Sequence, residues 1–198
     1  IEGASWIGYS FLLILFSKIF FLNVKIIYRG HSIEYYIRKK NSNFIISSLS
    51  FFFEKFVYRN SLISTSVSKL EHQKVKKLYK VNTYIFPNII NFYNKKKEKS
   101  EFNKKYIFYS GSYEYQPNKE AIDRLYYDIM PKLKKKIPNM MLVLTGSKKI
   151  PFKANWLKNL GLVSKDRYIN TLRNSLCLIV PTREGYGTRV KIIEALCY

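Results

Sequence analysis

The chain has 198 residues, 47% hydrophobic and 17% aromatic, which is enough apolar material to build packed cores and too much for a disordered polymer. Its 35 Lys and Arg against 13 Asp and Glu give a formal charge of +22, which attracts phosphorylated ligands, anionic membranes and nucleic acid alike and disfavours only basic partners. Two cysteines, Cys177 and Cys197, lack metal-ligand spacing; they fit core packing in a reducing compartment best, with a disulfide between them the lesser alternative.

Residues 7 to 22 (IGYSFLLILFSKIFFL) are apolar for sixteen residues, interrupted by Lys18. A bilayer span needs about 20 uninterrupted apolar residues, so a buried crossover helix is predicted ahead of an interfacial helix or a signal sequence. Residues 24 to 28 (VKIIY) read as a buried parallel strand, and the break at Arg29-Gly30 puts His31 at its carboxyl end, the edge where open α/β sheets bind ligands. Residues 44 to 58 have helical spacing, LISTS at 62 to 66 is a short strand, and Ser68 caps the basic helix that follows. Residues 83 to 86 form a final strand before Pro87-Asn88. The polar, charged run NFYNKKKEKSEFNK from 91 to 104 reads as a linker, which divides the chain into a first domain (1–94), a linker (95–104) and a second domain (105–198).

The second domain opens with a strand at 106 to 109, the loop Ser110-Gly111-Ser112 and a helix started by Pro117 or Asn118. A strand at 140 to 145 closed by Gly146, a short strand and turn in WLKNLGLV (156 to 163), a helix at 166 to 174 and a strand at 176 to 180 complete three βα units and predict a parallel sheet. The last stretch, LCLIVPTREGYGTRVKIIEALC, is the richest in chemistry. A glycine-rich loop before a helix exposes backbone N–H groups, Arg189 and Lys191 add full charges, and the whole has the character of a phosphate cradle. Glu194, one turn beyond Lys191 on the same face, is placed to accept two hydrogen bonds from a sugar diol. A glycine turn before a helix also occurs for purely structural reasons.

The segment PTREGYGTRVKIIEAL resembles the donor-site segment of the family 4 (group 1) glycosyltransferases. YRGHSIEYYIR (28 to 38), YIFPNII (84 to 90), YIFYSGSYEYQPNKEAIDRL (106 to 125) and the weaker LVLTG (142 to 146) follow the same family order, so the resemblance covers residues 24 to 198. It implies an α/β protein of GT-B type, with two Rossmann-like parallel-sheet halves, both incomplete: the later part of an acceptor-side domain, then the first part of a donor domain. It further implies transfer, with retention, from a nucleotide diphosphate sugar to a lipid-linked or polysaccharide acceptor, using no metal and no other cofactor. By resemblance, His31, Arg189 and Lys191 are the catalytic candidates. The donor-binding candidates are Gly111, Ser112, Asn118, Leu162 and Val163 through their backbones, Glu184, Gly185, Gly187, Thr188 and Glu194.

Three departures from the family pattern stand out. Ser32 occupies a position where Asn is common, the loop after residue 109 offers Ser112, Tyr113, Tyr115 and Asn118 in place of the usual cations, and the first of the paired glutamates falls on Tyr186, with Glu184 two positions upstream. Without loop cations, Arg189 and Lys191 are left to neutralise the pyrophosphate. Lysine clusters at 74 to 80, 95 to 99 and 132 to 136 lie on apparent helix faces or in the linker, without a zinc-finger, KH or RRM signature, so no specific nucleic-acid partner is expected. Solvated faces account for much of this charge, with an anionic membrane surface as the further candidate partner of a cytoplasmic protein held at the inner face. The competing reading is an inactive remnant, or a basic membrane- or nucleic-acid-binding module.

Overall fold

The computed structural model describes residues 1–3, 6–20, 23–90, 98–183 and 189–198. They divide into two compact units, Ile1–Ile89 and, among the described residues, 90 and 98–183 with 189–198.

In the first unit the chain alternates strand and helix: β1 (Glu2–Gly3), α1 (Ile7–Ile19), β2 (Ile27–Gly30), α2 (Glu34–Asn41), α3 (Phe44–Asn60), β3 (Ile63–Ser66), α4 (Lys69–Tyr79) and β4 (Tyr84–Ile85). The strands pair in parallel in the order β1-β2-β3-β4. Successive crossovers in one direction place their helices on one face of a sheet. The core agrees: Ile7 and Ile14 of α1, Tyr28 of β2, Val57 and Tyr58 of α3, and Val75 and Tyr79 of α4 form one cluster. Burial along β2 therefore alternates, with Tyr28 and Gly30 inside and Ile27 52% exposed.

Two expectations shift here. The strand predicted at 24 to 28 lies at Ile27–Gly30, because pairing with β3 from Ile27 to Arg29 fixes the ladder, while Val24 precedes it and is exposed. Helix α1 is buried along Ile7, Ser10 and Ile14, yet Tyr9, Leu13, Phe16 and Phe20 form an exposed apolar stripe on its other side. No helix among the described residues is long and apolar enough to cross a membrane. Ser68 caps α4 as expected, its hydroxyl accepting from the Glu71 N–H at 3.2 Å, and α4 ends on Lys80 in the left-handed region (φ 59°).

The second unit contains β5 (Tyr106–Ser110), α5 (Gln116–Arg124), a π-helical turn (Leu125–Ile129), α6 (Met130–Lys136), β6 (Met141–Thr145), β7 (Leu157–Asn159), α7 (Lys165–Asn174), β8 (Cys177–Leu178) and α8 (Val190–Leu196). The π turn has a local cause. Pro131 carries no N–H for the helical ladder, and the Met130 N–H bonds one residue further back than usual, to Leu125. The parallel sheet runs β7-β6-β5-β8, so the chain first winds outward from β5 and then returns to its other side. Helices consequently cover both faces. Ile107, Tyr109, Leu142 and Leu144 pack toward Ala121, Ile122, Leu125 and Met130, while Tyr106, Phe108 and Val143 pack toward Leu172.

Candidate functional site

Where winding reverses, the connections leaving two neighbouring strands go to opposite faces and open a crevice at the carboxyl edge of the sheet, where ligands of such folds bind. In the second unit that point lies between β5 and β8. The loop after β5 begins at Gly111, and the segment after β8 leads to Arg189 and Lys191.

Lys191 reaches across from α8 to β5. Its Nζ donates to the Ser110 carbonyl at 2.6 Å, lies 3.4 Å from Asn118 Oδ1 and sits 4.6 Å from the centre of the Tyr109 ring. Burial, with the Arg189 guanidinium nearby, lowers the ammonium to about 8. Tyr109 donates its hydroxyl to Asn118 Oδ1 at 2.8 Å, and Arg189 Nη1 donates to the Thr182 carbonyl at 3.2 Å. The Asn118 side chain lies so close over Gly111 that a Cβ there would come within 2.7 Å of it. The structure thus brings together four of the predicted residues: Gly111, Asn118, Arg189 and Lys191.

Ser112 lies on the same loop and donates its hydroxyl to the Glu114 carboxylate, whose pKa this hydrogen bond lowers. Leu162 is exposed and Val163 half-buried, just after Gly161 in the left-handed region (φ 73°) at the end of the β7 connection. Glu194 is half-buried and already accepts the Tyr168 hydroxyl at 2.9 Å, which orients its carboxylate. His31 belongs to the first unit, half-buried in the turn between β2 and α2. Glu184, Gly185, Gly187 and Thr188 lie outside the described residues.

Sequence reasoning missed Ser147. Its buried hydroxyl accepts from the Tyr113 N–H at 2.6 Å and donates to the Gly111 carbonyl at 3.1 Å, and its own carbonyl accepts from Asn159 Nδ2 at 3.0 Å. One serine therefore ties the loops after β5 and β6 to the end of β7. Its only signal in the sequence is a small polar residue directly after a strand-ending Thr-Gly. Gly146 beside it has φ +94°, and a Cβ there would lie 3.0 Å from Gly111 backbone, so the two loops touch backbone to backbone.

No family model and no curated protein matches the sequence. Solved structures do match. Sucrose-phosphate synthase from Thermosynechococcus elongatus superposes with a TM-score of 0.66 at 14% identity, over 94% of this chain and 52% of that one. This chain has the GT-B fold of the glycosyltransferases. TarM matches with a TM-score of 0.58 at 10% identity (94% of this chain, 42% of that one). The lipopolysaccharide outer core galactosyltransferase WaaB matches with 0.53 at 10% (96% and 58%). The GT-B chain therefore spans about half the length of these structures.

Proposed function

We propose that this chain is part of a glycosyltransferase that moves a sugar, with retention of configuration, from a nucleotide diphosphate donor to a glycan or lipid-linked acceptor. The observation that carries the reading is Lys191: a half-buried ammonium held at the switch point of a GT-B sheet, with Arg189 beside it. Two neighbouring cations raise each other's energy and call for an anion between or above them. A departing diphosphate supplies that charge, and it supplies more of it as the bond to the anomeric carbon breaks, so the pair favours the transition state over the bound donor.

Within this reading the residues take separate parts. Arg189 and Lys191 neutralise the leaving diphosphate, and Asn118 with the Gly111 loop lines the approach to it. The Leu162-Val163 backbone meets the base, Glu194 accepts from the ribose with Tyr168 steadying it, and His31 remains the catalytic candidate of the first unit. Glu184 and the glycine loop would complete the cradle. Calorimetry with uridine, guanosine and adenosine diphosphates tests it. One of the three should bind the wild-type chain, and Lys191→Ala should weaken that binding by ~1–3 kcal/mol. In the complete enzyme, Arg189→Ala should lower kcat more than donor affinity, whereas Glu194→Gln should chiefly raise KM, because a ribose hydrogen bond is made equally in the ground and transition states. Failure of all three nucleotides to bind would refute the reading.

A further inference from the structure

Helix α2 lacks a start signal of its own. Its N-cap residue, Ile33, offers no side-chain acceptor, and the acceptor arrives from another helix: Glu54 of α3, 0% exposed, takes the N–H of Glu34 at 2.8 Å and that of Tyr35 at 3.0 Å. The Tyr79 hydroxyl of α4 donates to the same carboxylate at 2.6 Å. Tyr28 from β2, Tyr58 from α3 itself and Glu34 from α2 are the other ionisable groups facing it, and Glu34 is matched by the Ile7 N–H at 2.6 Å and Arg38 Nε at 2.9 Å.

Only His31, Ser32 and Ile33 separate β2 from α2. That turn is held at both ends. On the strand side, Gly30 lies so close to Tyr58 that a Cβ would come 2.4 Å from its hydroxyl; on the helix side, Ile33 is buried and Glu54 fixes the next two amides. A three-residue turn pinned in this way leaves its backbone little freedom.

We infer that Glu54 is the positioning residue for His31: by capping α2 from α3 it fixes the turn that aims the imidazole. Its bearing on transfer rests on the proposed function, in which His31 is a catalytic candidate; its bearing on the imidazole does not.

The chain has two histidines, which makes each one observable. Imidazole resonances of His31 and His72 are recorded by NMR at one fixed pH in the full chain, as wild type and as Glu54→Gln, Glu54→Asp and Tyr79→Phe. Gln cannot serve both amides, Asp is one methylene short, and Phe removes one donor while keeping the stacked ring. The His31 ring resonances should move in the Glu54 variants and by less, in the same sense, in Tyr79→Phe. His72, bonded to the Thr83 carbonyl at 2.8 Å, should keep its resonances and report an intact fold. An unmoved His31 in folded Glu54 variants, or in Tyr79→Phe if those do not fold, overturns the inference and leaves Glu54 a stabilising cap alone. In the complete enzyme, Glu54→Gln should lower kcat ~10-fold with unchanged affinity for the nucleoside diphosphate, as misplacement without lost binding requires. Absence of nucleotide binding in the wild type would count against the transferase reading while leaving the His31 shift to stand.

Discussion

At the scale of single residues, a buried carboxyl and a half-buried ammonium make opposite demands on pH. Burial raises the Glu54 carboxyl to about 7, against the hydrogen bonds from Tyr79, Tyr35 and Glu34 that favour its ionised form. A carboxyl raised above its unfolded value binds its proton more tightly in the native state. Its contribution is therefore complete below the unfolded pKa and fades as pH climbs through the folded one, by up to ~3 kcal/mol between about 4.5 and 7. Chemical unfolding followed across that range should show stability falling with pH in the wild type and a flatter slope in Glu54→Gln; equal slopes would contradict the assignment. Lys191 works the other way, in binding. Lowered to about 8 by burial and by Arg189, it should hold its proton more firmly when a diphosphate arrives. Nucleoside diphosphate binding at pH 8 should take up roughly half a proton, read from calorimetry in buffers of different ionisation enthalpy, and affinity should fall as pH rises further.

At the scale of elements, the β5 and β6 loops meet through Gly146 and Gly111, and Gly146 combines a left-handed φ with a Cβ position only 3.0 Å from the Gly111 backbone. Gly146→Ala should cost ~1–3 kcal/mol and weaken nucleotide binding beyond what the lost stability explains, a comparison available from thermal shifts with and without ligand. Helix α4, by contrast, ends on Lys80 where glycine is at ease, so Lys80→Gly should raise stability by ~0.5–1 kcal/mol. Elements with local signals were the legible ones. The Ser68 cap, the helix from Phe44 and the strand from Tyr106 each follow from nearby sequence, and the parallel pairing of the second sheet, though not its strand order, follows from its βα units. Elements fixed from a distance were not. The register of β2 is set by β3, the staple at Ser147 joins two loops to the end of β7, and Glu34, besides standing as the acid in the first turn of its own helix, reaches the Ile7 N–H at the start of α1. Residue types alone carry no record of such partners. The switch-point cluster was half visible: Arg189 and Lys191 stood out by motif, while Tyr109 beneath the ammonium looked like any strand aromatic.

At the scale of the whole molecule, a charge of +22 is felt at any anionic surface, but only through a screening length of about 10 Å at ordinary salt. Co-sedimentation with vesicles rich in anionic lipid should therefore be strong at low salt and disappear near ~1 M, where that length falls to about 3 Å. Equal attachment to neutral vesicles would point instead to the apolar stripe of α1. The nested carboxylates of the first unit have a kinetic consequence. Glu34 caps α1 from 27 residues away, and Glu54 caps α2 from 20. Neither helix start can form while its own segment is still isolated, since the acceptor arrives only when a later helix has docked. Such contacts belong to the downhill side of the folding barrier, so removing the Glu54 acceptor should speed unfolding while leaving the refolding rate nearly untouched.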